Sequence, residues 1–181
     1  MFLVAAGGSA HAEEPAAASS TQTNGAVVAA DFGTTMLLQD PDRSFGLGLD
    51  GRVGYTFAGL PAVTPELSLG FVDFPDAEVF GRASGGARLT LGTALQASLF
   101  GHAGGWWNEV DGGPAGDLGL AVDFALPRGL YAGVQGAYNI AWVELEDGYT
   151  GVPYASMGVH VAWAPRAEPA RAAPIAKAAR R

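Results

Sequence analysis

Eight ionisable residues share one parity within segments that alternate between apolar and small or polar residues: Arg52, Arg82 and Arg88, with Asp31, Asp50, Glu66, Asp117 and Asp123. Alternation with period two belongs to a β-strand, so these charges face one side of a sheet. Enclosed in a narrow interior they are tolerable only as hydrogen-bonded pairs, because an isolated charge taken out of water is far costlier than a paired one. The pattern therefore predicts a ladder of Arg-carboxylate ion pairs filling a lumen as a polar core. A gated pore whose pairs exchange partners is the functional variant of the same ladder.

Other chemistry-bearing residues point to less. His102 and His160 fall on the inward parity, but neither has a ligand partner at helical or hairpin spacing, so no metal site is expected. Gly46-x-Gly48-x-x-Gly51 matches a dinucleotide fingerprint as a string, yet it lies within an alternating strand with no helix to receive a pyrophosphate. Between the alternating segments lie Asp40, Asp42, Asp73, Asp76, Glu78, Glu109, Asp111, Glu144, Glu146 and Asp147, against Arg43 alone. Such carboxylates could bind Ca²⁺ or Mg²⁺ and bridge to lipopolysaccharide phosphates, but no contiguous Ca²⁺ loop is present and solvated acidic loops are the expectation. No cofactor is expected.

The elements that must position the charged ladder are strands. Phe45–Phe57 places Phe45, Leu47, Leu49, Val53, Tyr55 and Phe57 on one face and Gly46, Gly48, Asp50, Arg52, Gly54 and Thr56 on the other. Residues 116–126 and 130–142 repeat the pattern, and weaker copies span 27–38, 66–74, 79–92, 95–108 and 154–163. These make eight strands, most near the length of about 9 to 11 residues that crosses a bilayer at a tilt. Breaks alternate between polar, acidic stretches (39–44, 73–78, 108–116, 143–152) and tight ones (92–94, 126–129), with 58–64 as a longer exception.

Composition decides which face is outside. The chain is 15% charged, below the roughly 25% of a soluble domain, and the alternating body has no Lys. The face opposite the apolar one is mostly Gly, Ala and Ser, which fit the inside of an eight-stranded barrel. The apolar face then points into lipid, and closure satisfies every backbone N–H and C=O. Aromatics at the strand ends predict two interfacial girdles: Phe45, Phe74, Phe80, Trp107, Trp142 and Tyr154 toward the acidic loops, and Tyr55, Phe57, Tyr131 and Trp163 toward the tight turns. The expected fold class is all-β, an eight-stranded antiparallel up-and-down transmembrane barrel over residues 26–163.

A formal charge of −8 argues against nucleic acid as a partner, and the absence of Cys removes disulfide and thiolate chemistry. Residues 1–12 close on Ala10-His11-Ala12 and read as a clipped signal peptide; 13–25 read as a flexible lead-in, and 164–181 as a disordered basic Ala/Pro tail.

The last strand reads Ser156-Met-Gly158-Val-His-Val161-Ala-Trp163. It resembles the terminal-strand signal that the barrel-assembly machinery recognises in outer-membrane barrels, carried here by Ser156, Gly158, Val161 and Trp163. With eight strands, the body looks like the small OmpA-like and OmpX-like barrels among the porin-family outer-membrane proteins. That resemblance implies a bacterial outer-membrane location, a monomer, and lipid or lipopolysaccharide and the assembly machinery as partners. It departs from the smallest members in carrying a basic tail after the aromatic, and no peptidoglycan-binding domain follows the linker-like tail. Outer-membrane lipid A deacylases resemble the architecture too, but their His-x-Ser motif is missing at both His102 and His160, so no enzyme is expected. The expected role is structural or interaction-based, through acidic surface loops around a plugged polar lumen. The alternatives are a narrow porin-like channel for water or small ions and a soluble ligand-binding barrel.

Overall fold

The computed structural model describes residues 24–39, 44–59, 61–75, 79–146 and 148–164. They form eight strands: β1 (Gly25–Leu37), β2 (Phe45–Thr56), β3 (Ala62–Asp73), β4 (Phe80–Gly92), β5 (Leu95–Trp107), β6 (Gly112–Ala125), β7 (Leu130–Leu145) and β8 (Gly148–Trp163). Each strand pairs antiparallel with the next in sequence, and β8 pairs with β1 to close an up-and-down barrel. The leader, lead-in and tail expected at 1–12, most of 13–25 and most of 164–181 lie outside the described residues, as do Asp40, Asp42, Arg43, Asp76, Glu78 and Asp147.

The strands lean. From Val27, the paired positions run through Gly54, Glu66, Gly86, His102, Asp117, Asn139 and Tyr154 and return to β1 at Leu37, ten residues farther along. A shift of ten over eight strands corresponds to a tilt of about 40°. At that tilt strands of 12 to 16 residues span roughly 30 to 40 Å in height, more than the ~25 Å apolar band of membrane barrels.

One end of the barrel carries the connections after β1, β3, β5 and β7, with acidic Asp73, Glu109, Asp111, Glu144 and Glu146 among the described residues. The other end carries the turns after β2, β4 and β6 together with both ends of the barrel chain. Two stretches read as loops are shorter than expected. β7 and β8 continue to Leu145 and from Gly148, whose φ of +127° is open to glycine. The connection after β2 is tightened by a Phe57–Val63 bridge.

Alternation decides the walls. Leu67, Leu120, Val134 and Val159 are 64%, 64%, 58% and 55% exposed on the outside, while Asp31, Arg52, Glu66 and His160 on the inward parity are buried. The core is thus the lumen, and it is polar.

Candidate functional site: the ionic lumen

All eight charged candidates face the lumen, and the sheet register delivers them in clusters. On β2, Arg52 pairs bidentately with Asp31 of the neighbouring β1: Nε donates to Oδ2 at 2.6 Å and Nη2 to Oδ1 at 3.0 Å. Its Nη1 donates to Glu66 of β3 at 3.0 Å, and Nη2 also approaches His160 Nδ1 at 3.0 Å from β8. Arg82 of β4 reaches across to β2, donating to both Asp50 oxygens at 2.8 and 2.7 Å, and to Asn139 Oδ1 of β7 at 2.9 Å. Forked donors matched to carboxylates are the strongest hydrogen-bonded pairs available, which is why arginine rather than lysine can fill this space.

His102 joins the two clusters. Its Nδ1 lies 2.7 Å from Asp117 Oδ1 and its Nε2 lies 2.8 Å from Glu66 Oε1, so the ring is matched on both sides when both nitrogens carry protons. Glu66 is therefore shared by Arg52, His102 and Arg88, whose Nε sits 3.4 Å from each Glu66 oxygen. Arg88 also stacks, with its guanidinium 4.5 Å from the centroid of the Phe100 ring. Its two Nη atoms have no hydrogen-bond partner among the described residues, and neither has Asp123 Oδ1, which His160 Nε2 approaches at 3.8 Å. Toward the turn end the lumen changes to hydroxyl pairs: Thr56–Thr64 at 2.9 Å and Thr90–Ser98 at 3.0 Å.

Sequence parity places these charges on the inner wall; it does not say which arginine meets which acid. That depends on the ten-residue shift, which brings Arg82 over Asp50 and stacks Arg52 between Asp31 and Glu66. The charged network also has partners that the charges alone do not reveal. Asn139, 1% exposed, accepts from Arg82 and donates to Ser156 Oγ at 3.0 Å.

The aromatic girdle expected at the loop end is corrected in part. Phe45 and Trp107 face outward, but Phe74 and Tyr154 are buried at 2% and 3% exposure, and Phe80 packs between them. Trp106 joins from β5 and donates its indole N–H to the Trp142 carbonyl at 3.0 Å. These rings share parity with Arg82, His102 and Ser156, so the alternation itself carries the signal that position near a strand end obscures. Inward rings lie over glycines of the next strand: a Cβ at Gly119 would collide with Phe100, and one at Gly113 would stand 3.0 Å from Trp106 Nε1. Many lumen glycines are in this way the room that a large neighbour needs.

A cavity of about 40 Å³ is lined by Thr35, Gly48, Asp50, Arg52, Arg82 and Tyr154. Among the described residues no group of His, Asp and Glu is arranged to hold a metal ion. Ser156, Gly158, Val161 and Trp163 all lie on β8. Ser156 and Gly158 face the lumen, and Val161 and Trp163 face outward, 51% and 46% exposed. Trp163 pairs with Val28 of β1 on one side and Leu130 of β7 on the other, at the seam that closes the barrel.

No family model matches the chain, and no curated protein sequence matches it. Among solved structures it is similar to Neisserial surface protein A, with a TM-score of 0.57 at 12% identity, covering 76% of this chain and 96% of that one. It is also similar to the N-terminal β-barrel domain of Pseudomonas aeruginosa OprF, with a TM-score of 0.46 at 19% identity, covering 77% of this chain and 99% of that one. The likeness to surface protein A carries the fold: this is a small eight-stranded barrel of the outer-membrane type.

Proposed function

We propose that this chain is a bacterial outer-membrane barrel with a non-conducting lumen and a structural or interaction role through its acidic loops. The observation that carries this is the inversion of its two walls: an apolar exterior, and an interior of hydrogen-bonded charges. Such an exterior suits hydrocarbon, and ring closure leaves no strand edge to satisfy there. Lipid and lipopolysaccharide are then its surroundings, and with no edge to pair, the barrel is a monomer. Orientation follows from the ends: acidic connections outside the cell, tight turns and both barrel ends toward the periplasm. The closing strand, with Ser156, Gly158, Val161 and Trp163, is what the assembly machinery would read. The two lumen histidines are held beside charged partners, His102 between Asp117 and Glu66 and His160 against Arg52, which supports a structural rather than a catalytic role.

Cell fractionation with protease added to intact cells tests the reading. The expected protein sits in the outer-membrane fraction, migrates differently before and after boiling, is nicked in its acidic loops from outside, and gives no unitary current in planar bilayers. Release into buffer without detergent would favour a soluble ligand-binding barrel. Steady single-channel current would favour a narrow channel.

A further inference from the structure

The inward rings and the ion pairs occupy different heights. Phe80 of β4 stands 5.9 Å from Phe74, 6.2 Å from Trp106 and 6.0 Å from Tyr154 by ring centroids. Because β4 and β8 lie on opposite sides of an eight-stranded ring, the Phe80–Tyr154 contact spans the bore. Below it, Arg52 connects β1, β2, β3 and β8, and His102 connects β3, β5 and β6, so a second layer also crosses the bore. Tyr154, Val72 and Thr35 line the ~40 Å³ cavity together with Asp50, Arg52 and Arg82, so it lies against both the rings and the ion pairs.

That space is polar. Thr35 lines it, is 3% exposed, and its hydroxyl has no hydrogen-bond partner among the described residues. Ser156 also lines it, and its Oγ accepts from Asn139 while its own proton remains to be donated. A buried hydroxyl without a partner is costly, and a cavity of this size with several polar walls holds roughly one to three waters.

We propose that the lumen is closed twice in series, by an aromatic cap at the loop end and by the ion-pair layer beneath it, and that the chamber between them is a permanent water site completing Thr35. This rests on the non-conducting reading above and adds where the barriers are. The two closures differ in kind. The cap excludes water and ions by dewetting, as apolar constrictions do, whereas the layer beneath is filled by paired side chains. Removing one leaves the other standing.

The chain has no cysteine, so Thr35→Cys places a single thiol in the chamber. The protein is folded into lipid vesicles, its orientation is established by loop proteolysis, and a small charged methanethiosulfonate is added to one side or the other. With cap and layer intact, the thiol is expected to stay unlabelled from both sides until the barrel is denatured. Adding Phe80→Ala should give complete labelling from the loop side alone, and Arg52→Ala from the turn side alone. Trp106→Ala opens the cap independently should Phe80→Ala fail to show the folded barrel's heat-modifiable migration. Labelling of Thr35→Cys in the intact barrel from both sides would overturn the closed-lumen reading itself. Protection that survives removal of the cap in a folded barrel would overturn the double closure and leave the closed lumen standing. In the unsubstituted protein in lipid, magnetisation transfer from water to Thr35 in solid-state NMR is expected, and its absence would overturn the water site.

Discussion

The inner and outer walls of this barrel are built by the same eight strands, and neighbouring residues along one strand answer to opposite rules. On β3, Leu67 and Leu69 stand exposed on the outside while Glu66 and Ser68, which alternate with them, are buried. Outside, side chains need only be apolar, since each meets solvent lipid and few specific neighbours. Inside, each residue is chosen for a partner: Arg52 needs Asp31 and Glu66, Arg82 needs Asp50, and Phe100 needs the space above Gly119. Specificity in this fold therefore resides in the lumen, whereas the exterior supplies insertion. A soluble domain concentrates its apolar packing where this protein concentrates its charge.

Four substitutions test that contrast, beginning with the greatest loss. Arg52→Ala leaves Asp31 and Glu66 buried without their shared cation, and breaking a buried pair in this way costs about 3 to 5 kcal/mol. Urea titration of the barrel in lipid vesicles should show the lowered midpoint; an unchanged midpoint would mean the pairs contribute nothing to the inner wall. Leu120→Arg puts a cation on the outer wall and should cost about 2 to 4 kcal/mol if the site lies near the bilayer midplane. The same titration reads it, and a harmless Leu120→Arg would assign that wall to water.

Two further substitutions have smaller effects. Ser68→Ala removes one half of the Ser68–Ser84 hydroxyl pair, 2.6 Å apart in the lumen, and should cost about 1 kcal/mol. Leu67→Ala, one residue away but facing out, should cost about 0.5 kcal/mol, the transfer value of a leucine into the bilayer. Parallel denaturation of the two variants reads the ordering. Should Leu67→Ala prove the more damaging, the exterior would be packed against something more specific than lipid.

Much of this was legible because a period of two needs only local sequence. In Phe45–Phe57, parity alone assigns Arg52 and Asp50 to one wall and Leu47 and Leu49 to the other. Register is a different kind of information. That Arg82 on β4 reaches Asp50 on β2 depends on the tilt of the whole ring, which no single strand encodes. The β7–β8 hairpin was obscured for a local reason: Glu144 and Glu146 are charged and Gly148, Gly151 and Pro153 are turn-forming types, yet the ladder continues to Leu145 and Gly148. The rings of Phe74, Phe80 and Tyr154 were obscured by their position. An aromatic near a strand end satisfies an interfacial girdle and a lumen cap equally well, until its parity is compared with that of Arg82 or Ser156.

The seam between β1 and β8 bears on how the barrel comes into being. Val28 meets Trp163, 135 positions later, whereas every other pairing joins strands adjacent in sequence. Bringing ends together costs about 0.6 kcal/mol more for each doubling of the intervening chain, so this seam costs about 2 kcal/mol more to close than a neighbouring hairpin. Until it closes, β1 holds an open row of backbone donors and acceptors with nothing to bond. Asp31 meanwhile lacks the His160 side of its cluster, so the network inside cannot be completed strand by strand. The seam is then the contact of longest sequence separation in the ring, and a partner that shelters the waiting edge of β1 would assist folding without touching the finished structure.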